Sequence, residues 1–149
     1  MPTLLKHKTA GRDYEIIERF EAGIELLGTE VKSLRASHGV LAGAHVIVRG
    51  GEVYVLGMQV PAWQASNAPG DYDPARTRRL LLTKQEIAAL SGLGERKGFT
   101  LIPLSIYTKG KKIKLEIAVA RGKKKYDKRE DIKKRDDQRI MMREIKRNE

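Results

Sequence analysis

Lys112-Ile113-Lys114-Leu115-Glu116-Ile117-Ala118-Val119-Ala120-Arg121 decides the fold class of this chain. Apolar residues at 113, 115, 117 and 119 alternate with Lys112, Lys114 and Glu116. That is the period-two pattern of a strand with one face in a core and one in water. Lys109-Gly110-Lys111 precedes it as a turn, and residues 100–108 read as its hairpin partner, with Ile102, Leu104 and Ile106 on one face. Further upstream, residues 46–48 and 52–56 flank Arg49-Gly50-Gly51, a tight-turn sequence because glycine accepts positive φ without strain. From Tyr14 onward, Ile16, Phe20, Ala22, Ile24 and Leu26 share one parity, Glu18 interrupts it, and Gly23 predicts a bulge or bend.

Two segments change period. Residues 28–35 place Val31 and Leu34 on one helical face, with Thr29 as the expected N-cap. Thr83-Lys84-Gln85-Glu86 is a capping box opening a second short helix with Ile87 and Leu90 on one side, weakened at Gly92 and Gly94. Residues 1–12 read as a basic arm at the edge of the fold, and residues 61–74 as a long surface loop. Five or six strands, mostly joined by hairpins, predict a mainly β fold: a small antiparallel barrel, closed or nearly so, of the oligonucleotide/oligosaccharide-binding type. That domain takes residues 1–120.

Residues 121–149 are different in kind. They hold 13 lysines and arginines against 7 acids and few apolar residues. Ordering a backbone costs about 1–2 kcal/mol per residue, which such a segment cannot offset by burial. It reads as a basic C-terminal tail that needs a partner. Glu130–Lys134 and Asp131–Arg135 have the i,i+4 spacing of weakly stabilising helix pairs, so the tail is expected to be helical when bound.

Composition narrows the function. Across 149 residues the formal charge is +11, with a sequence pI near 9.9, which points to a phosphate backbone as partner. There is no cysteine, hence no disulfide and no thiolate metal site. No stretch approaches the ~18 apolar residues of a membrane span, and the N-terminus lacks a signal-peptide core, so no membrane association and a cytoplasmic location are expected. His7, His38 and His45 share no metal-ligand spacing, and the carboxylate pairs Glu21/Glu25 and Asp71/Asp73 come without a histidine or a glycine elbow. No catalytic residue, metal or cofactor is expected, and the chain reads as a binding protein rather than an enzyme.

The binding features are basic clusters: Lys32 and Arg35; Arg76, Arg78 and Arg79; Lys109, Lys111, Lys112 and Lys114. Among the aromatics, Tyr126 is the best base-stacking candidate because it sits between Lys125 and Lys128 with no core to join. Tyr14, Trp63, Tyr72 and Tyr107 are expected to be buried or packed under loops. The residues by themselves describe an RNA-binding barrel with a basic tail. A general ribosome-associated or single-strand RNA-binding protein remains the alternative.

Glu21-Ala22-Gly23-Ile24-Glu25-Leu26-Leu27-Gly28-Thr29-Glu30-Val31-Lys32-Ser33-Leu34-Arg35 resembles the SsrA-binding protein family. The resemblance continues through Asp73-Pro74 with Arg76-Thr77-Arg78-Arg79-Leu80-Leu81-Leu82, through Lys97-Gly98 with Leu104 and Tyr107, and through Gly122-Lys123-Lys124 and Asp127-Lys128-Arg129. It implies a barrel that binds the tRNA-like domain of transfer-messenger RNA and escorts it to stalled ribosomes, where the unfinished product is tagged for proteolysis. It also implies a monomer, delivered with elongation factor Tu, whose tail becomes helical in the vacant decoding site and message channel, against ribosomal RNA of the small subunit. Carried onto this chain, Glu21 and Leu81 shape the RNA-binding face, and Lys123 and Lys124 suit backbone contacts. Tyr126, Asp127, Lys128 and Arg129 fall at the decoding site, and Arg139, Ile140 and Met141 anchor the tail. His7 and Arg12 depart from the family's usual Asn and His or aromatic. Ser37-His38-Gly39 replaces an earlier glycine after the first helix, so a different turn is expected there.

Overall fold

The computed structural model describes residues 2–64 and 70–123. In order the elements are β1 (Thr3–Lys6), α1 (Ala10–Asp13), β2 (Tyr14–Ile24), α2 (Gly28–Arg35), β3 (His45–Arg49), β4 (Glu52–Leu56), β5 (Arg78–Leu81), α3 (Lys84–Gly94), β6 (Phe99–Lys109) and β7 (Lys112–Gly122). Every pairing is antiparallel, and β3, β4, β5, β2, β7 and β6 follow one another as neighbours. β6 returns to β3 through Val46 and Leu101, which closes the circuit into a barrel. The expected mainly β architecture is therefore present.

The alternation that opened the reading is realised in β7. Ile113, Leu115, Ile117 and Val119 all join the core, with Val46, Val53, Val55 and Leu80 from the other strands, Leu34 from α2 and Leu90 from α3. Each such side chain contributes about 1.5–3 kcal/mol through the apolar area it removes from water.

Four expectations are corrected. The N-terminal arm is a strand: Leu5 pairs with Ile106 and Lys6 with Ser105, so β1 occupies the length of β6 that β3 does not use. In β2 the bulge lies between Ile16 and Glu18, not at Gly23. The extra residue reverses the parity there: Ile16 packs in a second, smaller cluster while Phe20, Ala22 and Ile24 join the main core, and Ile17 is left exposed. Gly23 is in register, and its role is spatial: a Cβ added there would meet Leu81 Cβ at 3.2 Å. β6 bulges between Pro103 and Ser105, so Ile102 and Leu104 do not share a face with Ile106. They pack instead with Ala10, Ala118 and Ala120 in a small second cluster that also takes in Tyr14 and Ile16.

Thr29 does not cap α2. The N-cap is Leu27, two residues earlier, and the Thr29 hydroxyl is buried without a partner. The orphan amide of Leu27 is met instead by Glu30, whose Oε1 accepts it at 2.8 Å. At the other end, Ser37 N–H donates to Leu34 O and His38 N–H to Ser33 O, the crossed bonds of a Schellman turn. Ser37 adopts φ +60° at the position where glycine is usual. The capping box at Thr83 and Glu86 forms as expected.

Candidate nucleic-acid interface

The site is organised by a carboxylate that sequence inspection overlooked. Glu30, in the first turn of α2, is 0% exposed. Arg78 donates to its Oε2 through Nε at 2.9 Å and Nη2 at 2.6 Å. Arg76 donates through Nε at 3.0 Å and Nη2 at 2.5 Å, and Tyr72 through its hydroxyl at 3.0 Å. Burial alone would push this carboxyl up; the bonds from Arg76, Leu27 N–H and Arg78 outweigh it and bring the pKa down to about 2. The only advance signal was an acid in a helix's first turn beside a tract rich in arginine.

This corrects the reading of Arg78 as an RNA-binding residue. β5 alternates: Arg78 and Leu80 point inward and are buried, while Arg79 and Leu81 point outward. Arg78 also donates to the carbonyls of Met58, Arg76 and Pro74, so its guanidinium is fully spent inside the protein. Arg76 is divided, with a side chain 30% exposed and still tied to Glu30. Arg79 faces solvent, paired with Glu52 and Glu25. Leu81 is 46% exposed and is not core; it lies over Gly23 on the outer surface.

Glu21 sits on the outside of β2, opposite Glu116 of β7. Its carboxylate accepts a short hydrogen bond from the Tyr107 hydroxyl and another from Lys109 Nζ at 3.1 Å. Those two bonds, Tyr107 first, hold its pKa below the ordinary carboxylate range. Burial and then Glu21 push the Tyr107 phenol upward. Thr3, Arg19, Phe20, Ser105 and Glu116 complete a shallow depression around the pair. A carboxylate fixed by two donors keeps lone pairs free for base amino or imino groups, and Lys109 offsets the repulsion a phosphate would feel.

Lys32 and Arg35 are both exposed on α2, and Arg35 Nη2 donates to Lys111 O at 3.1 Å, fixing α2 to the β6–β7 turn. Lys123 follows β7, and its N–H donates to Asp13 O at 3.0 Å. The expected boundary at residue 120 falls inside β7, which pairs through Gly122. Lys124, Tyr126, Asp127, Lys128, Arg129, Arg139, Ile140 and Met141 lie outside the described residues. Among the described residues no group of three or more His, Asp or Glu side chains is placed to hold a metal ion, and no helix is long and apolar enough to cross a membrane.

A family model described as "SmpB protein" matches residues 4–147. The chain belongs to the SmpB family. The SsrA-binding protein of Microcystis aeruginosa is 50% identical over 134 residues, which cover 90% of this chain and 87% of the relative. That of Thermosipho africanus is 47% identical over 149 residues, 99% of each. A solved structure described as "tmRNA-SmpB: a journey to the center of the bacterial ribosome" has a chain that superimposes with a TM-score of 0.70 at 39% identity, over 88% of this chain and 95% of that one. The two longest sequence blocks that resemble SmpB proteins meet physically in this fold. Glu30 comes from the first and Arg76 and Arg78 from the second, so the ion cluster is where they lock.

Tyr72 and Tyr107 are further site members that the sequence did not assign, and Lys109, expected there as part of a basic cluster, joins them through Glu21. Tyr107 is buried, as expected, yet its hydroxyl reaches the surface carboxylate. Trp63 overturns the same expectation: it is 43% exposed.

Proposed function

We propose that this chain is a non-enzymatic RNA-binding factor of ribosome rescue. It binds the tRNA-like domain of transfer-messenger RNA (SsrA) through the barrel face around Glu21 and Leu81, and delivers that RNA to stalled ribosomes for trans-translation. Residues 121–149 occupy the vacant decoding site and message channel, with Tyr126 through Arg129 at the decoding site and Arg139, Ile140 and Met141 as the apolar anchor. The factor works in the cytoplasm as a monomer, in a delivery complex with elongation factor Tu.

The observation that carries this reading is the continuity of the likeness. The family match runs from residue 4 to residue 147, through barrel and tail alike. The Glu21–Tyr107–Lys109 cluster supports it chemically, because it offers an acceptor for base edges beside a cation for phosphate.

The test is a comparison of labelled tRNA-like domain with an unstructured RNA of equal length at physiological salt. The reading requires a preference of orders of magnitude for the folded RNA. Equal affinities would sink it, because phosphate contacts alone do not discriminate shape.

A further inference from the structure

Trp63 is the chain's single tryptophan, and it lies in the open. Its indole stacks on His38, with ring centroids 5.8 Å apart and planes inclined by 26°. That is the offset arrangement aromatic pairs prefer. Both rings hang from one buried residue. Ser33 Oγ donates to Pro61 O at 2.6 Å, two residues before Trp63, and Ser33 O accepts the His38 N–H at 2.9 Å in the turn that ends α2. The pair is thus fixed before any ligand arrives, yet Trp63 keeps 43% of its surface in water.

The helix end beside His38 and the turn it touches are cationic. Residues 32–38 and 109–112 contain Lys32, Arg35, Lys109, Lys111 and Lys112 and no carboxylate. Arg35 joins the end of α2 to the β6–β7 turn, and the same turn sends Lys109 to Glu21. The helix end that leads into His38 is therefore tied to the turn that borders the Glu21 face.

We propose that the His38–Trp63 stack is a platform for an unpaired nucleobase of the transfer-messenger RNA bound at the Glu21 face, with Lys32 and Arg35 taking the flanking phosphates. This rests on the function proposed above. Every base offers a π-face to an indole, and phosphates lie one nucleotide step to either side, which suits an aromatic ring bordered by lysine and arginine.

Because Trp63 is alone, intrinsic fluorescence of the full-length chain reads this site directly. Fluorescently labelled tRNA-like domain is titrated while its anisotropy and the emission and acrylamide accessibility of Trp63 are followed. The platform requires Trp63 to be quenched and shielded in step with binding. Trp63→Ala and His38→Ala should weaken affinity, the first by about tenfold. Trp63→Phe should retain it within about threefold, and the melting temperature should hold in all three.

Tight, selective binding with unchanged Trp63 emission, or with Trp63→Ala at wild-type affinity, overturns the platform and leaves the proposed function standing. Shielding of Trp63 by elongation factor Tu or by ribosomes, but not by the RNA, likewise overturns it. Loss of selectivity for the folded RNA in the wild-type chain removes the functional reading itself, a distinct result.

Discussion

Glu30→Gln is the sharpest perturbation available in this fold. The substitution keeps shape and volume while removing the only anion between two guanidinium groups. Glu30 and Arg78 side chains are both 0% exposed and separated by 2.6 Å. Breaking a buried pair from one side leaves the other charge uncompensated, at a loss of about 3–5 kcal/mol. The depressed pKa of Glu30, caused by the same bonds, agrees in size. A carboxyl brought from 4.5 to about 2 contributes about 3 kcal/mol. The folded pKa is depressed, so this stabilisation is complete above the unfolded value near 4.5 and is lost as pH falls towards 2. Urea unfolding at pH 7, followed by far-ultraviolet circular dichroism, should show the loss. A pH series should show that the variant lacks most of the steep decline between pH 4.5 and 2. Glu25→Gln, whose carboxylate pairs with the exposed Arg79, should unfold nearly like wild type. Glu30→Met combined with Arg78→Met should recover part of the loss, since an apolar pair leaves no stranded charge. Recovery stays partial because three carbonyls lose the Arg78 donors. A loss under about 1 kcal/mol for Glu30→Gln, or an undiminished acid transition, would refute the cluster as the lock between α2 and β5.

Ser37→Gly should stabilise the chain by about 0.5–1 kcal/mol in the same urea assay, because relief of the left-handed strain exceeds the added chain entropy; destabilisation would mean that the serine side chain contributes something else. Glu21→Gln should cost specific RNA affinity tenfold or more at an unchanged melting temperature, since the carboxylate lies on the surface and its proposed role is to accept from base edges. An unaltered dissociation constant would remove Glu21 from the interface. Truncation after Lys125 should leave affinity for the tRNA-like domain largely intact and abolish tagging on stalled ribosomes; collapse of RNA binding would contradict the division between barrel and tail.

The β-architecture was legible because β7 and the β3–β4 hairpin obey a strict period of two, and the side chains that set that period are the ones buried. Two bulges escaped notice for a physical reason. A bulge adds one residue and reverses parity, so Ile102, Leu104 and Ile106 keep the spacing of one face while the chain divides them between two cores. β1 was missed because four residues with two apolar positions carry too little pattern, and its pairing with β6 is a long-range event. At the site, Glu21 and Leu81 came from resemblance rather than from periodicity, and the structure places both on the outside of the barrel. Trp63 was misplaced because an aromatic residue in a loop is more often covered than open.

The basic tract Arg76-Thr77-Arg78-Arg79 shows why charge counted along a strand misleads about a surface. Alternate side chains of a strand point to opposite faces, so a run of arginines cannot present all of them to one phosphate backbone. Here the inward one, Arg78, neutralises Glu30, and the outward one, Arg79, stays in solvent. Burying the first locks α2 against β5, and α2 in turn carries Arg35 to the β6–β7 turn, from which Lys109 reaches Glu21. The same geometry separates barrel from tail. Glu21 lies opposite Glu116, and six residues of β7 separate that point from Gly122, roughly 20 Å at ~3.3 Å per residue. A partner seated on Glu21 and one engaging the chain beyond Lys123 therefore meet the barrel at different points along a single strand. That spacing is what the proposed division of labour requires, one surface for the RNA and a separate point of departure for residues 124–149.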